Sequence, residues 1–432
     1  MRKLSCNWCV PVFAALLLKA QDPMPENPAT LIQQGADQKE ALRIHPAIYQ
    51  AIGFGNTFLV TTSAGNVIID TSMPGPAQRH VKLLKAVNDG PVKYIVLTHG
   101  HGDHTGGVRL WKQPGTKVIA QKNHTEFIDY QTRLSSFFAL RNAAQFGFDL
   151  SKARQAAANP PAPIEPEILF DDKYQFDLGG IRFEIYHTPG ETPDHLTVWI
   201  PQYKAAFTGD NYYESFPNLY TLRGTQPRWP LDYVSSLNRV LALKPEIVLP
   251  SHGRAIQGNP EINRRLTQYR DAILYVHEAV IAGMNQGKDV YTLMREIHLP
   301  EALNVGESYG KLTWSVRGIY EGYAGWFDMN PATMYEVPAS AVYADVTRLA
   351  GGPARLAQLA QEQVQAGNNV EALHTTQIAL AADERNRPAL QARLQALTAL
   401  RERCRNTNER GWLDYSIRLT NGRLQETSAG KP

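Results

Sequence analysis

Residues 98–107 (THGHGDHTGG) place three imidazoles and one carboxylate within six positions. The run follows the apolar stretch Tyr94–Leu97, which predicts a strand that ends at His99. Glycines between these residues allow a tight turn, so their side chains can converge on two neighbouring metal ions, for which imidazole and carboxylate are typical ligands. A solvated polar loop would not explain so many histidines in one turn. The candidate ligands in this run are His99, His101, Asp103 and His104.

Two later segments repeat the pattern of an apolar strand that leads to a metal-capable side chain. Residues 205–209 (AAFTG) precede Asp210, and residues 246–250 (EIVLP) precede His252. Chance rarely delivers a possible ligand at three successive strand ends, so these residues are expected to join the same site. His187 and His195 flank it, and we interpret both as structural residues.

The run His-x-His-x-Asp-His resembles the signature of the metallo-β-lactamase superfamily. The resemblance implies an α/β fold, a sandwich of two β-sheets flanked by helices, with two metal ions at one edge. It implies that Asp210 bridges the two metals. It assigns His99 and His101 to the first metal, and Asp103, His104 and His252 to the second. Most superfamily members have a third histidine ligand directly after a Pro-Gly pair, where this chain has Glu191.

Glu191 and two further segments resemble the alkyl sulfatase branch of that superfamily. The segments are residues 218–224 (NLYTLRG) and residues 314–331, which contain WSVRGIY and GWFD. The branch uses Glu191 as a ligand of the first metal, and it implies that Asn218 and Arg223 bind the anion and that a helical domain forms a homodimer. The chain departs from the branch at Asp210, where the branch often has Glu, and at Phe146, where the resemblance predicts a sulfate-binding tyrosine.

The resemblance to this branch implies a zinc-dependent hydrolase that cleaves the sulfate ester of a small anionic substrate. Two zinc ions per chain would lower the pKa of a bridging water and supply hydroxide at neutral pH. Asp103 and Asp210 would orient it, and the planar guanidinium of Arg223 suits the oxygens of a sulfate. Arg228 is either a second anion contact or a surface charge, and Phe146 is expected beside the anion.

Three other functions remain open at the sequence level. The chain could be a dimetal hydrolase of another ester, a lactone or a β-lactam, which residues 218–224 disfavour because they indicate an anionic leaving group. It could be a non-catalytic binding protein, but seven intact ligands argue against a decayed site. It could be an iron oxidoreductase, although we recognise no flavin or haem module in the sequence.

Composition and the termini give weaker constraints. A chain of 432 residues with a net charge of +3 can hold two domains and shows no basic stripe for nucleic acid. Residues 1–22 combine a basic start, an apolar core and a small residue at Ala20, which predicts a signal peptide and a periplasmic or secreted location. That core is too short to span a bilayer, so no stable membrane insertion is expected. Loss of Cys6 and Cys9 with the signal would leave Cys404 without a disulfide partner.

The pattern along the chain predicts a hydrolase domain over residues 40–258 and an all-α dimerisation domain over residues 259–432. A hairpin at residues 57–70 and a helix opened by Pro76 begin the first domain. A helical insertion over the site is expected at residues 122–165, and strands resume at Tyr174. From residue 353 onward, Ala-rich helix pairs resemble a tetratricopeptide-like hairpin. An aromatic cluster is expected to be mostly core; its members are Trp314, Tyr320, Tyr323, Trp326 and Phe327.

Overall fold

This computed structural model describes residues 28–158 and 162–428. Two β-sheets face one another with helices on both outer sides, and a helical region follows. The predicted α/β sandwich followed by helices is therefore confirmed. The predicted signal peptide lies outside the described residues, so the periplasmic or secreted location stays a prediction. In the described part of the chain, none of the helices is long and apolar enough to cross a membrane.

The first sheet has seven strands in chain order. They are β1 (Leu42–His45), β2 (Ile48–Ala51), β3 (Thr57–Thr62), β4 (Gly65–Ile69), β5 (Val92–Val96), β6 (Lys117–Gln121) and β7 (Ile168–Phe170). The strands β1 to β4 pair antiparallel, and β4 to β7 pair parallel. The predicted hairpin is the β3–β4 pair.

The second sheet has six strands, and the first of them begins one residue before the predicted position at Tyr174. They are β8 (Lys173–Leu178), β9 (Ile181–His187), β10 (Leu196–Ile200), β11 (Ala205–Gly209), β12 (Ile247–Pro250) and β13 (Ile256–Gln257). All neighbours are antiparallel except β11 and β12, which run parallel.

The core between the sheets follows from the period-two alternation of the strands. In β3, Phe58 and Val60 point between the sheets, whereas Leu59 packs under the helices on the outer side. Phe58 meets Phe207 of the opposite sheet edge-on, with ring centroids 5.2 Å apart. This register fixes which strand ends reach the same edge of the sandwich.

Sixteen α-helices occur in the described residues. They are α1 (Pro28–Ile32), α2 (Pro74–Lys85), α3 (Gly102–Thr105), α4 (Val108–Trp111), α5 (His124–Arg133), α6 (Ser135–Phe146), α7 (Leu150–Ala158), α8 (Pro230–Ala242), α9 (Asn259–Asn285), α10 (Val290–Glu296), α11 (Leu312–Ala324), α12 (Tyr343–Leu349), α13 (Pro353–Gln365), α14 (Asn369–Ala382), α15 (Arg387–Arg403) and α16 (Thr407–Ser428). The helix predicted to open at Pro76 begins at Pro74, since proline needs no hydrogen bond from its nitrogen in the first turn.

The change from strands to helices falls at residue 258, as the sequence predicts, but the hydrophobic core continues across it. Helix α9 packs its buried face, which includes Ile262 and Val276, on the outer face of the second sheet. The same cluster contains Trp199 of β10 and Val316 of α11. The proposed domain boundary therefore stays a prediction.

The predicted helical insertion forms α5, α6 and α7, and the last helix of the chain docks against it. Gln145 of α6 is fully buried and donates to Asn408 Oδ1 at 2.7 Å, while its Oε1 accepts from Trp412 Nε1 at 3.1 Å. At Gly411 of α16 a Cβ would lie only 1.7 Å from the carbonyl oxygen of Gln145. The two helices approach this closely only because residue 411 is glycine.

The predicted placement of the aromatic cluster in the core is wrong for three of its five members. Tyr323, Trp326 and Phe327 are 49%, 75% and 38% exposed. They open residues 323–349, here called the arm, which exposes further large apolar side chains. These are Met329, Met334, Tyr335, Val337, Val342, Val346 and Leu349. An apolar run in sequence does not reveal whether its own chain or another chain covers it.

The contact at Gly411 makes a prediction about stability. Gly411→Ala forces a methyl group against the Gln145 carbonyl and should lower the free energy of unfolding by about 1–3 kcal/mol. Thermal denaturation followed by circular dichroism measures the loss. Gly422→Ala on the same helix is the control, because among the described residues no atom would lie within 4 Å of its Cβ. It should be neutral or stabilising by up to ~1 kcal/mol. Equal behaviour of the two variants would contradict the close approach.

Candidate metal centre and active site

The candidate metal ligands lie at the carboxyl ends of parallel strands. His99, His101, Asp103 and His104 follow β5, Asp210 follows β11, and His252 follows β12. Glu191 comes from the turn between β9 and β10. Because the carboxyl ends of parallel neighbours lie on one side of a sheet, and the two sheets stack, these residues meet at one edge of the sandwich.

Asp210 stands at the centre of the ligand cluster. Its Oδ2 lies 3.0 Å from His252 Nε2, 3.4 Å from His104 Nε2 and 3.8 Å from His99 Nε2. Burial would raise the pKa of this carboxyl, but the imidazoles of His252 and His104 outweigh burial and hold the pKa well below its usual range. The carboxylate is therefore ionised and placed between two groups of nitrogens.

The other ligand candidates divide into two groups around Asp210. In one group His101 Nδ1 lies 2.9 Å from His99 Nε2 and 3.6 Å from Glu191 Oε1. In the other, Asp103 Oδ2 lies 3.4 Å from His104 Nε2 and 3.5 Å from His252 Nε2. The assignment of these ligands to two metals, which the sequence resemblance implies, stays a prediction.

The arrangement fits bound cations better than a closed hydrogen-bond network. Three buried polar atoms of the cluster have no hydrogen-bond partner among the described residues: His104 Nε2, Asp210 Oδ1 and His252 Nδ1. Buried polar atoms are normally satisfied. The nitrogen and carboxylate oxygen atoms converge within 4.8 Å of one another in two overlapping triads, His99–His104–Asp210 and Asp103–His104–His252. The donor set is that of zinc and related divalent ions.

Asp70, which the sequence analysis missed, fixes the geometry of one ligand. It follows β4, is fully buried, and one of its oxygens accepts from His104 Nδ1 at 2.9 Å and Ser251 Oγ at 2.7 Å. It also accepts from the backbone N–H and hydroxyl of Thr98, both at 2.8 Å. Through these bonds Asp70 directs the other ring nitrogen of His104 toward Asp210, as carboxylates commonly do for metal-binding histidines.

His195 is a structural residue, as the sequence analysis interprets it. Its Nδ1 donates to the Thr188 carbonyl at 2.9 Å, and its Nε2 accepts from the Asp210 N–H at 3.0 Å. Burial lowers the pKa of this imidazole to about 4, so it is neutral at pH 7 and can accept that bond. Gly209 (φ +54°) allows the contact, because a Cβ there would lie 2.3 Å from His195 Nε2.

Arg228 is buried, so its interpretation as a surface charge is wrong, whereas the anion contact that the sequence analysis considers stays a prediction. Its Nη1 lies 2.5 Å from Glu191 Oε2 and donates to the Asn218 carbonyl at 3.0 Å. Tyr233 donates to the same Glu191 oxygen at 2.7 Å. Arg228 is therefore a buried partner of Glu191, and it leaves the other carboxylate oxygen of Glu191 directed toward His101. The sequence could not distinguish these roles, since both require a cation near the site.

A cavity of about 220 Å³ opens beside the ligand cluster. Its wall includes Asp103, Glu191, Asp210 and the half-buried Arg223, whose Nε has no hydrogen-bond partner among the described residues. Apolar residues also line it: Phe54, Met73, Pro74, Phe146 and Phe148. The cavity lining thus combines ionic and apolar side chains.

Two of the four predicted substrate residues, Arg223 and Phe146, line this cavity. Asn218 does not: its backbone N–H donates to the Tyr213 hydroxyl at 2.7 Å and its carbonyl accepts from Arg228. It organises the loop because its backbone groups are committed to these bonds. Sequence reasoning missed Tyr213, Tyr309 and Asn142, which also line the cavity and which no local motif distinguishes.

Comparison with known families and proteins agrees with this geometry. The profile of the metallo-beta-lactamase superfamily matches residues 51–252, and that of the alkyl sulfatase dimerisation family matches residues 291–418.

The chain contains a metallo-beta-lactamase domain and an alkyl sulfatase dimerisation domain.

Several relatives of this two-domain chain are alkylsulfatases. A linear primary-alkylsulfatase of Pseudomonas sp. is 27% identical over 85% of this chain and 74% of its own length. An alkyl/aryl-sulfatase of Saccharomyces cerevisiae is 24% identical over 98% of this chain and 70% of its own length. The solved structure of a stereoselective inverting sec-alkylsulfatase from Pseudomonas sp. superposes with a TM-score of 0.79 at 21% identity over 91% of this chain. The chain spans 66% of that structure's length, and the likeness concerns the fold.

The hydrogen bonds of Asp70 make a prediction about metal retention. Asp70→Asn keeps the side chain's size but removes the charge that orients His104, so metal affinity should fall about 10–100-fold. Elemental analysis after dialysis against graded chelator measures the retained metal. The control is Asp171→Asn, an exposed carboxylate paired with Lys122 at 2.6 Å. Metal retention equal to wild type in both variants would refute an orienting role for Asp70.

Proposed function

We propose that the protein is a dimetal hydrolase of sulfate esters of the alkylsulfatase kind. The observation that carries the proposal is the cavity, which Arg223 lines together with five of the seven metal-ligand candidates: His101, Asp103, Glu191, Asp210 and His252. The alkylsulfatase relatives support the same reaction class. The apolar side chains that line the cavity suit the hydrocarbon part of such a substrate, and the ionic side chains suit its charged end.

The residues present fit two zinc ions per chain. His99, His101 and Glu191 would hold one ion, Asp103, His104 and His252 the other, and Asp210 would lie between them. Bound there, the ions would lower the pKa of a water and supply hydroxide at neutral pH. Elemental analysis of the wild-type protein measures the metal content, and we expect about two zinc ions per chain. Only a trace of metal, together with activity that resists chelators, would overturn the proposal.

The protein's own side chains have separable tasks in this proposal. Asp103 and Asp210 act on the nucleophile: their carboxylate oxygens accept hydrogen bonds from a water and so orient it. Arg223 acts on the substrate's side, since its Nε is buried without a partner among the described residues and a guanidinium can donate two parallel bonds to an oxyanion. Phe146 and Phe148 exclude water from the apolar end.

A second candidate is a dimetal hydrolase that acts on a different ester or a lactone. Phe146 favours this alternative, because it places an apolar ring where the alkyl sulfatase resemblance predicts a sulfate-binding tyrosine. Tyr309 also lines the cavity and offers a hydroxyl there, so the loss of one tyrosine does not remove every neutral donor.

Arg223 discriminates between the two candidates. A charge-assisted contact typically contributes about 1.5–3 kcal/mol, so Arg223→Ala should lower kcat/KM on dodecyl sulfate roughly ten- to a hundred-fold or more. Turnover of a neutral carboxylic ester should change far less, and metal content should not change because arginine is not a ligand.

The control for Arg223 is Arg133→Ala, at an exposed arginine of α5 that pairs only loosely with Asp129, at 3.9 Å. It should leave both activities as in the wild type. Equal losses on the charged and the neutral ester in Arg223→Ala, together with a lower melting temperature, would show that Arg223 is a structural residue. That outcome would favour the second candidate.

We also propose that the protein is a homodimer assembled through the arm, residues 323–349. The matched dimerisation profile contains the whole arm. Trp326, Met329 and Leu349 are 75%, 86% and 80% exposed, and exposed apolar surface commonly marks a protein–protein interface. A second copy of the chain would cover these side chains.

The arm makes a prediction about assembly. Trp326→Ser combined with Leu349→Ser should weaken the dimer by at least about 2 kcal/mol, because large apolar anchors dominate such interfaces. Light scattering at micromolar concentration should then report monomer where the wild type reports dimer. Leu110→Ser, at a 43% exposed leucine outside the dimerisation profile, is the matched control and should stay dimeric. A monomeric wild-type protein would refute the proposal.

A further inference from the structure

Arg141 of α6 makes an unusual pair of contacts with the loop that carries Arg223. Its Nε donates to the Arg223 carbonyl at 2.7 Å, and its Nη2 donates to the Leu222 carbonyl at 2.5 Å. The planar guanidinium of Arg141 thus holds two adjacent backbone carbonyls. Both acceptors are uncharged, so the contacts fix the position of the backbone and do not neutralise a carboxylate.

The loop has little regular structure of its own to hold it in place. Residues 219–229 contain neither a helix nor a strand between the end of β11 and the start of α8. Within it, the Gly224 N–H donates to the Thr221 carbonyl at 3.0 Å. The direction of the Arg223 side chain, which lines the cavity, therefore depends on what holds the carbonyls of residues 222 and 223.

The guanidinium of Arg141 is itself held between two aromatic rings. Its carbon lies 5.1 Å from the ring centre of Phe137 on its own helix and 5.5 Å from that of Trp412 on α16. Guanidinium groups are attracted to such ring faces. Trp412 is in turn fixed by its hydrogen bond to Gln145 and by the close approach at Gly411.

We propose that Arg141 is a positioning residue for Arg223, and that Trp412 of the C-terminal helix holds Arg141 in place. The chain of contacts runs from α16 through Arg141 to the carbonyl of Arg223 and so to the anion-binding end of the cavity. The helical C-terminal region then contributes to anion recognition in its own chain, separately from any part in dimerisation. The inference rests on the anion-binding role proposed for Arg223.

Steady-state kinetics of the metal-loaded, full-length enzyme test the proposal. Arg141→Met should raise KM for dodecyl sulfate by about tenfold or more, since a misplaced Arg223 no longer makes its charge-assisted bond, and should leave the kinetics of a neutral ester and the metal content unchanged. Arg141→Lys keeps the charge, but its ammonium lacks the planar pair of donors that bonds both carbonyls. It should therefore behave like Arg141→Met. Trp412→Leu should show a smaller effect of the same kind. Arg154→Met, at an exposed arginine of α7, is the control.

A double variant distinguishes positioning from an independent role. If Arg141 acts through Arg223, the losses are not additive, because the two residues belong to one interaction network. Arg141→Met with Arg223→Ala should then be no worse on dodecyl sulfate than Arg223→Ala alone. Multiplied losses, or equal losses of Arg141→Met on charged and neutral esters, would overturn the proposal.

Hydrogen exchange supplies a measurement that does not depend on the substrate. Amides of residues 218–224 should exchange faster in Arg141→Met and in Arg141→Lys than in wild type, while the β5 and β11 amides stay protected. Unchanged exchange in that loop would overturn the positioning role whatever the substrate is. A wild-type enzyme inactive on sulfate esters, with loop exchange that still depends on Arg141, would refute the proposed function and leave Arg141 as the residue that holds the loop.

Discussion

The candidate site depends on one parallel strand pair in each sheet: β4 with β5 in the first sheet, and β11 with β12 in the second. Because β4 runs parallel to β5, Asp70 emerges beside the histidine-rich turn, and because β11 runs parallel to β12, Asp210 emerges beside His252. The packing of Phe58 against Phe207 holds the two sheets in a register that brings these four strand ends to one edge. The ligands come from distant parts of the sequence, yet no long or flexible connection is needed to assemble them.

Around this edge, three of the candidate ligands have a fixed partner behind them. Asp70 orients His104, His195 anchors the backbone of Asp210, and Arg228 with Tyr233 holds one oxygen of Glu191. These partners are buried and hydrogen-bonded, so the cluster keeps its shape through the rigidity of the sandwich. The walls of the cavity have a different origin, because α6 and the loop after β11 lie outside the sheets and depend on the packing of α16.

The sequence predicts the sandwich, the helical C-terminal region and the candidate ligands because those residues occur in one dense motif or at the ends of apolar strands. It does not reveal Asp70, a single carboxylate after a strand with no neighbouring ligand. It also does not reveal that Arg228 pairs with Glu191, since a buried charge that neutralises Glu191 and a charge that binds substrate look alike in sequence. Tyr309 lies 57 positions beyond His252, the preceding cavity residue in the sequence, and only the fold brings it to the site.

The three carboxylates of the cavity wall, Asp103, Glu191 and Asp210, face a single lining guanidinium, that of Arg223. Behind this lining Arg228 pairs with Glu191, and Asp103 and Asp210 raise the pKa of His104 and of His252, so the metal-free site holds opposing charges. Two divalent ions would add positive charge, so metal occupancy and anion affinity are thermodynamically linked, and each must strengthen the other by the same factor. An anionic ligand would therefore slow the loss of metal from this protein, whereas a neutral ligand of the same shape would not.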